Sequence, residues 1–234
     1  MPDVRIPTSR GEMAAYLAAP PIAGRAPGVV VLHDAAGMTP DLRRQADWLA
    51  AAGFLAVAPK LYRHGGAILC IRTVIRDCLA RSGPTFDDIE SARAWLLEQP
   101  TCNGRAGVIG FCMGGGFALL LCSGRGFSAS SINYGGPLPA DLETFLAAAC
   151  PIVASYGAKD RWTQGVAVQL ERALTRAHIA HDVKEYPDAG HSFMNDHRNV
   201  LFRVMRFAGI AYNEEANLDA RRRIAAFFHM HLQP

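Results

Sequence analysis

The ten residues from Gly107 to Gly116, GVIGFCMGGG, decide how the whole chain is read. An apolar run ends at Gly110, a sharp turn is centred on Cys112, and a glycine-rich opening from Met113 leads onward. This is the pattern of a strand, a turn and a helix. Gly110-Phe111-Cys112-Met113-Gly114 fits the nucleophile elbow, with cysteine where serine is more usual. Such a turn crowds its central residue, so the positions two away on either side must lack a side chain. Cysteine suits the place. A free thiol ionises near pH 8.5 and is a few per cent thiolate at neutrality. The first turn of the following helix favours an anion further.

Working outward, PGVVVLH (27–33) is a continuous β-branched run, as expected of a strand covered on both faces. FLAVAP (54–59) is the next strand, and further strands are predicted at 106–110, 129–134, 151–156 and 182–186. VRIP and MAAYLAA, either side of a turn at Ser9-Arg10-Gly11, predict a hairpin. Helical spacing appears at 41–52, 68–81 and 87–99, from Met113, near 141–148, and over 164–177 and 214–231. This alternation predicts an α/β fold with a mostly parallel sheet and helices on both faces, built as a single domain over residues 1–234.

In such sheets, working residues gather at the carboxyl ends of the strands. Cys112, Asp160, His191 and Asp34 each follow a predicted strand. The chain order nucleophile, acid, histidine is the order the elbow fold uses. Asp160 sits in the strand-end loop YGAKDRW, and His191 follows a tight Asp-Ala-Gly turn in YPDAGHSF. Asp182 lies at the wrong end of its strand, and Asp188 is read as shaping the turn. The other histidines, His197 among them, have no acid at a matching position; His33 is read as pocket-lining only. Backbone N–H groups of Met113, just after the nucleophile, and of Ala35, after the 29–33 strand, are the candidate oxyanion donors.

Composition narrows the function classes. Half of the residues are hydrophobic, 19% are charged and the net charge is +3, which predicts a packed core and no nucleic-acid partner. Arg221-Arg222-Arg223 is read as a solvated helix face. No apolar run reaches the roughly 18 residues of a membrane span, and the first residues carry no signal-like apolar stretch, so a cytoplasmic protein without a membrane partner is expected. The six cysteines form no C-x-x-C pair and show no zinc spacing with histidine. No metal and no cofactor are expected.

With these residues placed, the chain resembles the dienelactone hydrolase family of the α/β-hydrolase fold. The resemblance rests on VVVLHDAAGM, LAAAGFLAVAPKLY, IGFCMGGG, YGAKDRW and AGHSF, in that order and over nearly the whole length. It implies a cysteine triad of Cys112, Asp160 and His191, hydrolysis of an enol-lactone through an acyl-enzyme, and no cofactor. Family members commonly carry glutamate after the third strand, where it helps activate the thiol; the matching residue here is the shorter Asp34, which either reaches the thiol or orders its loop. Members that cleave dienelactone hold the substrate carboxylate with arginines, one of them four residues after the histidine. Asn195 stands there instead, with Arg198 nearby, while Arg63, Arg72, Arg76 and Arg81 offer guanidinium groups earlier in the chain.

The expected substrate is a small ester or lactone, acted on by a monomer or homodimer. An alternative is a carboxylesterase or thioesterase on a neutral acyl substrate, its pocket lined by Phe111, Met113, Trp162, Phe193 and Met194. The other is a non-catalytic ligand binder on the same fold. Residues 60–86 and 195–213 are read as lid and pocket walls.

Overall fold

The computed structural model describes residues 3–21, 23–63, 66–197 and 210–233, the side chains of 66–70 excepted. Hairpin strands β1 (Asp3–Thr8) and β2 (Gly11–Ala18) lead into β3 (Ala26–Leu32), α1 (Pro40–Ala51), β4 (Leu55–Pro59), α2 (Gly66–Ala80) and α3 (Pro84–Leu97). Then come β5 (Cys102–Phe111), α4 (Met113–Leu121), β6 (Ala129–Asn133), α5 (Leu142–Leu146) and β7 (Ile152–Gly157). The chain closes with α6 (Val166–Arg176), β8 (His181–Tyr186) and, after the undescribed 198–209, α7 (Glu214–His231).

One eight-stranded sheet has the order β1-β2-β4-β3-β5-β6-β7-β8. The hairpin joins antiparallel at one edge, and from β4 to β8 every neighbour is parallel. Alternation along the strands splits the apolar side chains into two layers. Val30, Leu32, Val57 and Val108 pack under α3, α4 and α6. Val29, Val31, Ala56, Ile109 and Phe111 pack under α1 and α7, where Phe228 meets Phe54 edge-on.

Local chemistry sets the helix starts. Thr39 caps α1, its hydroxyl accepting from Leu42 N–H at 3.2 Å with Pro40 in the first turn. Asn213 caps α7 by accepting from Ala216 N–H, and Glu214 and Glu215 occupy the positive end of that helix. α3 begins at Pro84, three residues ahead of the expected start, because proline is preorganised for a first turn. The arginine run in α7 is not the solvated face expected. Arg223 binds Asp182 and the Tyr186 hydroxyl, and Arg221 binds Gln45 over the Trp48 ring, so both strap α7 to the sheet. Arg222 alone of the three is fully at the surface. No helix among the described residues is long and apolar enough to cross a membrane.

Candidate active site

The carboxyl ends of β3, β5, β7 and β8 face one rim, and the chain leaves each of them in a tight turn. At the end of β5, Cys112 has φ 54° and ψ −114°, a left-handed conformation that a side chain rarely tolerates. The turn closes because its neighbours are bare. A Cβ on Gly110 would lie 1.9 Å from the Gly114 carbonyl oxygen, and one on Gly114 would lie 2.5 Å from that of Leu32. Cys112 N–H is held by the Asn133 carbonyl at 3.0 Å, and its own carbonyl accepts from Gly116. The half-buried thiol therefore stands at the N-terminus of α4.

His191 Nδ1 is 2.7 Å from Asp160 Oδ2, with both side chains almost fully buried. Asp160 is itself fixed, taking the Thr163 hydroxyl at 2.6 Å on Oδ2 and the Trp162 N–H at 2.9 Å on Oδ1. Burial raises its affinity for a proton, but hydrogen bonds from His191 and Thr163 outweigh this and hold the carboxyl below its ordinary range. For His191, burial favours the neutral ring. The bond to Asp160 and the nearby Cys112 sulfur oppose it and raise the imidazole to about 9. Its buried Nε2 makes no hydrogen bond of regular geometry. Tyr134 and Trp162 enclose the ring edge-on, with centroids 5.2 and 4.5 Å away.

Cys112 and His191 open into one cleft of about 430 Å³, which Ala35 and Met113 also line. Met113 is the first residue of α4, so its N–H has no acceptor within the helix. Ala35 lies in a tight turn where Asp34 accepts Ala36 N–H on its side chain and Gly37 N–H on its carbonyl, while Tyr62 donates to the Ala35 carbonyl.

Asp34 pairs with a second histidine. Its Oδ2 is 2.6 Å from His197 Nε2, and both side chains are buried. His197 has no acid at a matching position in its own segment; its partner lies 163 residues away in the chain, after β3. Burial lowers the proton affinity of His197, and Asp34 more than restores it. His33 is wholly buried, its Nδ1 donating to the Asp34 carbonyl at 2.7 Å. It is not among the described residues that line the cleft.

Several residues expected at the substrate lie elsewhere. Arg63 is enclosed by Asp88, Thr8 and the backbone of the hairpin turn, because a guanidinium this buried requires a full set of acceptors. Arg81 pairs with Asp141 and Arg76 with Asp77. Asn195 is buried between the Tyr134 hydroxyl and Asp41. Phe193 is fully buried against Tyr134 and Tyr186. Trp162 does line the cleft. Arg198 lies outside the described residues. Cys78 also lines the cleft; burial pushes its thiol up to about 11, so it stays protonated. Among the described residues no cluster of His, Cys, Asp or Glu could hold a metal ion.

Comparison with known proteins matches this frame throughout. The model of the dienelactone hydrolase family covers residues 13–232. A carboxymethylenebutenolidase of Pseudomonas sp. (strain P51) is 31% identical over 195 residues, 78% of this chain and 80% of that one. A carboxymethylenebutenolidase of Pseudomonas putida is 27% identical over 200 residues, covering 81% and 84%. A solved dienelactone hydrolase-like promiscuous phosphotriesterase from metagenomic libraries superposes with a TM-score of 0.81 at 23% identity, over 99% of each chain. The chain belongs to the dienelactone hydrolase family and is a hydrolase of ester or lactone bonds.

Proposed function

We propose that this enzyme cleaves its ester or lactone through a covalent acyl-enzyme on Cys112, with His191 and Asp160 completing a triad. One observation carries the reading: His191, pinned to Asp160 at 2.7 Å, shares a cleft with a cysteine held at a helix N-terminus in a strained elbow. His191 takes the thiol proton, and the thiolate adds to the substrate carbonyl carbon. The carbonyl oxygen becomes an oxyanion held by the N–H groups of Met113 and Ala35; losing one such donor costs about 3 kcal/mol of transition-state stabilisation. As the carbon–oxygen bond breaks, the proton on His191 passes to the leaving alkoxide and a thioester remains on Cys112. His191 then draws a proton from water, whose oxygen attacks the thioester. The acid leaves, and the thiolate recovers the proton.

Asp34 has the loop-ordering role in this scheme. Its contacts to Ala36 and Gly37 N–H shape the turn that carries Ala35, and the pairing with His197 fixes its carboxylate. Screening the purified protein against esters, lactones and thioesters, with Cys112→Ala as the blank, tests the reading. Turnover should fall to the blank in the variant while the fold is kept. A Cys112→Ala protein that retained turnover would refute it.

A further inference from the structure

The wall of the cleft selects among esters. α2 turns Ile71, Ile75, Cys78 and Leu79 toward the opening, the i, i+4, i+7, i+8 spacing of a single helix face. Trp162 stands in the same cleft beside His191. Ile75, Leu79 and Trp162 are 46%, 69% and 64% exposed, so three large apolar side chains meet water around one mouth. Such a concentration marks a binding surface. Among the described residues no Lys, Arg, Asp or Glu lines the cleft. Arg63, Arg76 and Arg81 are paired with Asp88, Asp77 and Asp141, and Arg72 and Arg161 are exposed without lining the cleft.

We propose that the substrate is a neutral ester with an apolar acyl chain laid along the Ile71–Ile75–Leu79 stripe; this rests on the Cys112 reaction above. Geometry assigns the ends. In the tetrahedral adduct the oxyanion points to Ala35 and Met113, and the leaving oxygen must face His191 to receive its proton. Trp162, edge-on to that ring, therefore borders the leaving group, and the remaining direction leads to α2. A carboxylate on the acyl end would lose its hydration there with no cation among the described lining residues to replace it.

The test compares p-nitrophenyl acetate, butyrate and hexanoate with the p-nitrophenyl monoester of adipic acid, which matches hexanoate in length but ends in a carboxylate. kcat/KM should rise roughly two- to fourfold per methylene, the range expected for burial of that group. The adipate ester should run about tenfold or more below hexanoate. Leu79→Arg, at an exposed position, should lower hexanoate turnover and narrow the gap to adipate by about tenfold. A flat chain-length profile, a preference for the carboxylate ester, or a Leu79→Arg variant altered only in self-association would each overturn the proposal. Cys112→Ala run alongside separates the two readings. Hydrolysis surviving in it discards the thiol reaction, whereas thiol-dependent hydrolysis with a flat profile discards only the substrate class.

Discussion

His191 and Asp160 bind each other strongly enough to reset the proton chemistry of the site. The imidazole is raised from its ordinary value near 6.5 to about 9. The proton that His191 takes from the Cys112 thiol is therefore held on the ring through neutral pH and is lost to solvent only as pH climbs through about 9. Since the protonated ring must donate to the leaving group, kcat/KM should fall along an alkaline limb near that value. Asp160→Asn should move the limb to lower pH and reduce the plateau, because the ring loses its carboxylate partner. A pH–rate profile of both proteins checks this; an unmoved limb would assign it to another group. His197 acts at one remove. His197→Ala leaves the Asp34 carboxylate without that partner, loosening the turn that positions Ala35. The expected result is a loss of about tenfold or more in kcat with little change in KM, as for a weakened oxyanion donor. Equal loss of kcat in the variant and in one that merely destabilises the fold would speak against it. The placement of Cys112, Asp160 and His191 at strand ends was legible in the sequence, and the structure brings them together. The substrate arginines, Asn195 and Phe193 were not. Whether a guanidinium faces a ligand or an internal carboxylate depends on partners such as Asp88, which no local pattern reveals. His197 escaped notice for the same reason.

The elbow between β5 and α4 is the element on which the site turns, and its glycines differ in what they tolerate. At Gly114 an added Cβ would meet the Leu32 backbone at 2.5 Å, and backbone cannot swing aside. Gly114→Ala should cost about 3 kcal/mol or more in urea unfolding and remove activity. At Gly116 the nearest backbone atom would be 3.3 Å away and the next atom the Cys78 sulfur at 3.5 Å, so Gly116→Ala should stay within about 1 kcal/mol of the parent. Equal effects would mean that the turn is not packed as described. Continuous β-branched runs and the 3.6-residue period made most strands and helices readable, because covered strands and half-buried helices leave those marks. Boundaries were less so. α5 shrinks to Leu142–Leu146, and β5 reaches back to Cys102 beyond the obviously apolar stretch.

Across the molecule, sheet order brings the parts together. β3, β5, β6 and β7 are successive neighbours and β8 follows, so residues 35, 112, 160 and 191 emerge on one rim although they are far apart in sequence. The order of strands was not written in the chain, but the alternation of strand and helix was, and parallel crossovers then put the carboxyl ends of β3 to β8 on the same side. What the rim is for can be read in one measurement: acid-quenched enzyme, mixed for milliseconds with p-nitrophenyl hexanoate, digested and weighed by mass spectrometry. A hexanoyl mass on the peptide containing Cys112, formed as fast as p-nitrophenol is released and trapped longer in His191→Ala, is the result expected. Steady turnover with no acyl mass on that peptide, or with the mass on another residue, would contradict it.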